Sequence, residues 1–185
     1  THFTNQIIQA LKIYKPKIPV VWNSSGYENK LEIEKLKDYV DIYLVDLKYM
    51  NNELAMRYSK APNYVEIAQK CILKMRSIQP KDVFENGIMK KGVVVRHLVL
   101  PSHTNDSIKC LNFIAENLGN QTFVSIMSQF EPRYNANKFE EINRKITPLE
   151  YKRVVNHALK LGLTNALVQD LSSADSKYTP NFIEW

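Results

Sequence analysis

The chain has 185 residues, 44% of them apolar and 24% charged, with a formal net charge of +6. That length supports one domain with a sizeable core and is short for two. No apolar run approaches the ~20 residues needed to span a bilayer. There is no charged-then-apolar leader, and the two cysteines, Cys71 and Cys110, argue for a reducing cytoplasm over a disulfide framework. The lysines are spread over several predicted helices without interleaved exposed aromatics. The positive charge therefore reads as solvated helix faces, with no nucleic-acid footprint.

In chain order, Thr4 is placed to cap a first helix with apolar spacing at Ile7, Ile8, Leu11 and Tyr14. A first strand is expected at 18–22, followed by the turn-forming loop "NSSGY". A helical pattern runs from Lys30 to about Tyr39, and a second strand occupies 42–46. "NNELAMRYS" reads as a short helix. "NYVEIAQKCILKMRSI" reads as a longer one, with Val65, Ala68, Ile72 and Met75 on one stripe. Asn86-Gly87 signals a small hairpin-like excursion. A long strand at 92–100 follows, then a helix capped by Thr104 and stopped by Gly119, then a strand at 122–127. "EPRYNANKFEEINRK" is a long polar loop of the kind that is often functional or mobile. Thr147-Pro148 opens a helix that ends at Gly162, and a short last strand is expected at 165–169. The tail "DLSSADSKYTPNFIEW" reads as mostly irregular. Strands alternating with helices predict an α/β fold with a parallel sheet covered by helices.

In such sheets chemistry collects at the carboxyl ends of the strands. Those ends offer Asn23, Ser24, Ser25 and Gly26; then Asp46 and Lys48; then Arg96; then Met127, Ser128 and Gln129. Asp46 and Lys48 share a face if the strand stays extended, and pairing with each other or holding a ligand both remain open. Arg96 stands on one face with Val94, Leu98 and Leu100. It cannot shed its charge, so it requires a carboxylate, carbonyls or an anionic ligand, and Asp46 is the natural neighbour. His97 points to the opposite face as a packed, hydrogen-bonded histidine. His103 lies in a loop within reach of the site, and His2 and His157 read as surface residues. There is no metal-ligand spacing, no glycine-rich phosphate loop and no serine nucleophile elbow.

Four stretches in order, "IPVVWNSSGYE", "VDIYLVDLKYMNNELAMRYS", "GVVVRHLVLPSHTNDS" and "FVSIMSQFEP", resemble strand ends of the radical S-adenosylmethionine superfamily. The nearest resemblance is to homologues of pyruvate formate-lyase activating enzyme, of the PflX-type branch. The resemblance implies a partial (β/α)6 TIM-like barrel, with residues 1–185 as one domain forming its C-terminal portion. It implies S-adenosylmethionine and a [4Fe–4S] cluster in the parent protein, which would generate a 5′-deoxyadenosyl radical for hydrogen abstraction. A glycyl radical enzyme is the implied protein substrate. By the same resemblance Asp46 binds the cofactor's ammonium or ribose and Lys48 its carboxylate. Asn23 and the backbone from Ser24 to Gly26 line the methionine or ribose side, Arg96 ties the site together, and Gln129 contacts a ribose.

The family's Cys-x3-Cys-x2-Cys loop is absent, and Pro101-Ser102 stands where relatives carry proline-glycine. The chain also opens on "THFTNQ". It is therefore expected to be a C-terminal piece, inactive by itself and unable to bind the cluster. Loss of two strands would expose the edge of the first strand, which is expected to dimerise or to lie against the tail. Two other readings stand beside this one. One is a β/α-barrel aldolase or lyase with Lys48 as a Schiff-base lysine; the other is a non-catalytic interaction domain on the same scaffold.

Overall fold

Alternation decides how the strands sit. In the computed structural model, which describes residues 2–170, positions 43, 45 and 47 are buried while 44, 46 and 48 are half-exposed. The next long strand repeats the pattern, with 93, 95, 97 and 99 buried and 94, 96, 98 and 100 half-exposed. One face of the sheet is sealed by helices; the other lines an interior that stays open.

The elements are α1 (Thr4–Ile13), β1 (Val21–Ser24), α2 (Lys30–Lys35), β2 (Ile42–Asp46), α3 (Asn52–Ser59), α4 (Tyr64–Ile78), β3 (Val83–Glu85), β4 (Ile88–Leu98), α5 (Thr104–Leu118), β5 (Phe123–Met127), α6 (Pro148–Lys160) and β6 (Ala166–Val168). Two 3-10 turns, Tyr134–Lys138 and Glu140–Ile142, interrupt the long loop before α6. The sheet order is β1-β2-β4-β5-β6, all parallel, with β3 antiparallel on β4. Among the described residues β1 and β6 do not meet, so the sheet curves without closing.

The core lies between the sheet and the helices. Val45, Val95, Val124 and Ile126 from the strands meet Ala68, Ile72 and Met75 of α4, Leu111 and Ile114 of α5, and Val154 of α6. Cys71 and Cys110 are free and buried within it, and burial raises both thiols, Cys71 to about 12. Among the described residues no helix is long and apolar enough to cross a membrane.

Several boundaries differ from expectation. β1 begins at Val21 and carries Asn23 and Ser24 inside the strand, because the Val20 N–H is taken by Asp41 Oδ2 at 2.9 Å and the ladder starts beyond it. α2 stops at Lys35, short of Tyr39. β4 begins at Ile88, since the excursion is a true hairpin: Glu85 pairs Ile88 across Asn86-Gly87, both at positive φ. Gly92, at φ 149°, marks where β4 leaves the hairpin for the parallel sheet, and a Cβ there would collide with the Asp82 carboxylate. Thr4 and Thr104 are the first helical residues, not caps; the preceding Phe3 and His103 supply no side-chain cap. Thr147 does cap α6, in a reciprocal capping box with Glu150. The tail from 171 onward lies outside the described residues.

Candidate functional site

The parallel register sets the site. Asp46 lies opposite Arg96 across β2 and β4, and Asn23 lies opposite Leu44 across β1 and β2. Three adjacent carboxyl ends thus bring their polar side chains onto the open interior face. Arg96 donates from Nε (2.8 Å) and Nη2 (2.7 Å) to Asp46 Oδ1, and from Nη2 to Asn23 Oδ1 (2.7 Å). Both ends of this pair are shielded, with side-chain exposures of 25% for Arg96 and 18% for Asp46. Arg96 therefore satisfies itself as expected, on its neighbour's carboxylate.

Lys48 is placed differently. Its Nζ is 3.8 Å from Asp46 Oδ2, beyond hydrogen-bond reach, and its side chain is 42% exposed. Asp46 Oδ1 is committed to Arg96, while Oδ2 faces Lys48 and the interior. The cluster holds two cations against one carboxylate. Its surplus positive charge and its ammonium donors rest on Lys48.

A cavity of about 240 Å³ opens beside these charges, lined by Asp46, Lys48, Tyr49, Ser59, Leu98, Leu100, Met127 and Phe130. A second cavity of about 320 Å³ shares Tyr49, Leu100 and Phe130 with it and runs under Tyr58, Tyr134 and Phe139. One end of the space is ionic and the other aromatic. Of the lining residues, Met127 is among the strand-end residues the sequence offers, while Tyr49, Ser59 and Phe130 are not. Phe130, an apolar residue in a polar loop just past a strand end, was the available signal.

Other expected site residues serve the walls. Ser24 is buried, and its Oγ accepts the Gly26 N–H at 3.0 Å. Gly26, at φ 77°, packs its backbone so tightly that a Cβ would sit 2.5 Å from the Asp46 carbonyl oxygen. Both residues shape the loop, with the Ser24 hydroxyl and the Gly26 N–H bonded to each other. Gln129 is exposed beyond β5, and its Oε1 accepts from Gln169 Nε2 at 3.4 Å. The structure brings Asn23, Asp46, Lys48 and Arg96 together and leaves Gln129 outside the cavity lining.

The histidines divide as follows. His97 is buried against the helices with Nδ1 on the Leu47 carbonyl oxygen at 2.7 Å, and burial lowers its pKa. His103 joins a chain at the mouth of the aromatic cavity. Tyr58 donates to Glu141 at 2.6 Å, which leaves its oxygen to accept the His103 Nε2–H at 2.7 Å. Arg57 donates to the same carboxylate at 2.8 Å. The Tyr58 hydroxyl, with help from Arg57, draws Glu141 down to about 2, while burial lowers His103. His157 is less exposed than expected and bonds Asn112 of α5 at 2.7 Å. Among the described residues no group of three histidine, cysteine or acidic side chains is placed to hold a metal ion.

No family model matches the chain. An uncharacterized protein of Methanocaldococcus jannaschii is 36% identical over 158 residues, covering 85% of this chain and 43% of the relative. The chain thus spans less than half the length of the curated relative it matches. Among solved structures, a domain of pyruvate-formate lyase-activating enzyme from Bacteroides vulgatus is similar with a TM-score of 0.65 at 13% identity, covering 90% of this chain and 91% of that chain. The chain shares with that domain an open, parallel α/β fold.

Proposed function

We propose that this chain is the cofactor-recognising C-terminal portion, a single domain, of a radical S-adenosylmethionine enzyme of the activating-enzyme type. The observation that carries the reading is the cluster of Asn23, Asp46, Lys48 and Arg96 at adjacent strand ends, facing an open interior. The methionyl end of S-adenosylmethionine is a zwitterion. Lys48 offers donors to its carboxylate, while Asp46 Oδ2 and the Asn23 amide offer acceptors to its ammonium. The fold likeness to an activating-enzyme domain supports the reading, as does a relative more than twice as long as the matched stretch.

The residues present do not fit an iron–sulfur cluster. Cys71 and Cys110 are buried on α4 and α5, and no third ligand is grouped with them among the described residues. No cluster chemistry is assigned to this chain; cluster ligands belong to other segments of a longer protein. Such a protein would use the cofactor for hydrogen abstraction, with a glycyl radical enzyme as protein substrate, in a reducing cytoplasm that keeps the thiols free. In the chain by itself, the outer edge of β1, with Val21 half-exposed, is the proposed contact for a homodimer or for the chain's own tail. A monodisperse monomer in light scattering would exclude that dimer.

The direct test is calorimetric titration of the chain with S-adenosylmethionine. Weak saturable binding is expected, lost in Lys48→Ala and Asp46→Asn. No heat in the millimolar range, or unchanged binding in both variants, would sink the proposal. The half-exposed Lys48 beside an apolar wall also favours a second reading, a Schiff-base lysine. Borohydride trapping of a carbonyl compound on Lys48 would select it.

A further inference from the structure

The β1–β2 ladder ends at Ser24 opposite Val45, yet the groups that matter for the site lie just beyond it. Past that point the Ser25 and Asp46 carbonyls and the Lys48 N–H need partners that β1 no longer supplies. One side-chain oxygen meets all three. Tyr64, the first residue of α4 and only 2% exposed, accepts the Lys48 N–H at 2.9 Å. Its single proton lies within reach of two carbonyls, Ser25 O at 3.1 Å and Asp46 O at 3.2 Å.

The ring is held from both sides. Tyr27 stacks on it with centroids 6.0 Å apart, and Tyr49 meets it edge-on at 5.5 Å. Tyr27 is itself tied by its hydroxyl to the Pro62 carbonyl at 2.7 Å, just before α4. The turn that delivers Tyr64 to this place uses two non-glycine residues in the left-handed region, Lys60 at φ 51° and Asn63 at φ 54°. Such strain persists only where the surroundings over-determine it.

We infer that Tyr64 is a positioning residue for the charged site: its hydroxyl extends the β1–β2 ladder past its end, locking the Gly26 loop to Asp46 and fixing where Lys48 presents its ammonium. The inference rests on the proposed cofactor reading for its functional half only. Tyr64 touches no ligand in this account; it acts through Lys48 and the loop backbone.

Tyr151 provides a matched control. From the first turn of α6 it donates to the Ile126 carbonyl at 2.7 Å and accepts the Gln169 N–H at 3.0 Å, bracing the last β5–β6 rung, where those two groups also meet at 3.4 Å. Tyr64→Phe and Tyr151→Phe remove one hydroxyl each and keep the ring. By hydrogen exchange, the Lys48 amide of Tyr64→Phe is expected to exchange at least tenfold faster, with the Val95 amide unchanged, while Tyr151→Phe leaves Lys48 protected. In calorimetry, Tyr64→Phe is expected to weaken S-adenosylmethionine binding about tenfold and Tyr151→Phe far less. Unchanged exchange at Lys48 overturns the inference. Equal loss of binding in the two variants also overturns it, because a general loss of stability would then explain both. If the unaltered chain binds no S-adenosylmethionine, the functional reading falls, and exchange at Lys48 decides the ladder role by itself.

Discussion

The two ends of the sheet are built alike and used differently. At both ends a tyrosine from the first turn of a helix ties strand-end backbone groups: Tyr64 serves groups past the last β1–β2 rung, and Tyr151 braces the last β5–β6 rung, where the Gln169 N–H and Ile126 carbonyl also meet at 3.4 Å. At the β5–β6 end the polar groups then close on one another. Ser128 gives its N–H to Gln169 and its hydroxyl proton to the Asp170 carbonyl, and it is fully buried. At the β1–β2 end the same scaffold leaves Asp46, Lys48 and Arg96 half-open toward the interior. The tyrosine is therefore a device for ending strands. What separates the two ends is the charge beside it: Lys48 stays 42% exposed next to the shielded Arg96–Asp46 pair.

Arg96→Met should break the comparison most. It removes both donors from a shielded carboxylate, at about 2–3 kcal/mol after allowing for the residual exposure of the pair. Gln169→Ala at the other end should cost about 1 kcal/mol or less. Urea denaturation of the two variants checks this, and equal losses would mean that the charged end is as solvated as a surface.

Acid tests the opposite face of β4. His97 is depressed below its ordinary 6.5 by burial, so below that value the unfolded chain binds a proton that the folded chain resists. Its contribution is complete above 6.5 and is lost as the pH falls, with a slope of up to about 1.4 kcal/mol per pH unit for one proton. Denaturation midpoints measured from pH 7 down to 5 should decline. A flat profile would place His97 in contact with water.

Tyr64→Phe and Tyr151→Phe should each cost about 1 kcal/mol in the same measurements. This near equality is what makes a difference in ligand binding meaningful. Lys48→Ala should change stability by no more than about 0.5 kcal/mol, since its pair is long and half-exposed. A larger loss would show that Lys48 contributes to the fold.

The smallest effect is expected at Ser102, a non-glycine residue at φ 65°. Ser102→Gly would relieve about 1 kcal/mol of left-handed strain. It would lose the hydroxyl's bonds to the Glu141 carbonyl and Arg144, both at 3.1 Å. The two effects should nearly cancel in thermal melts.

Legibility followed the range of the interactions involved. The near-continuous apolar runs of "IYLVD" and "VVVRHLVL", the Asn86-Gly87 turn and the Thr147-Pro148 helix start are local, and each formed where its residues indicated. Thr4 and Thr104 misled because a threonine before a helical pattern reads as a cap until tertiary contacts use it otherwise. Thr104, for instance, accepts from Arg153 of α6. Asp46 and Arg96 could be paired from the sequence, since a buried guanidinium must find an anion and the adjacent strand carried one. Ser24 and Gly26 drew notice for a sound reason, a strand-end loop, but whether their polar groups face a ligand or the loop depends on φ values and close contacts.

By itself the sequence determined the alternation of strands and helices, the faces of the long strands and the identity of the charged residues, because these follow from side-chain period and local chemistry. Only the tertiary structure decided that Arg96 takes up Asp46 and leaves Lys48 the available cation. It also decided that one hydroxyl, from a helix 16 residues beyond Lys48, holds the strand ends in place. Those outcomes depend on register across strands and on distances between segments remote in the chain, which no local pattern encodes.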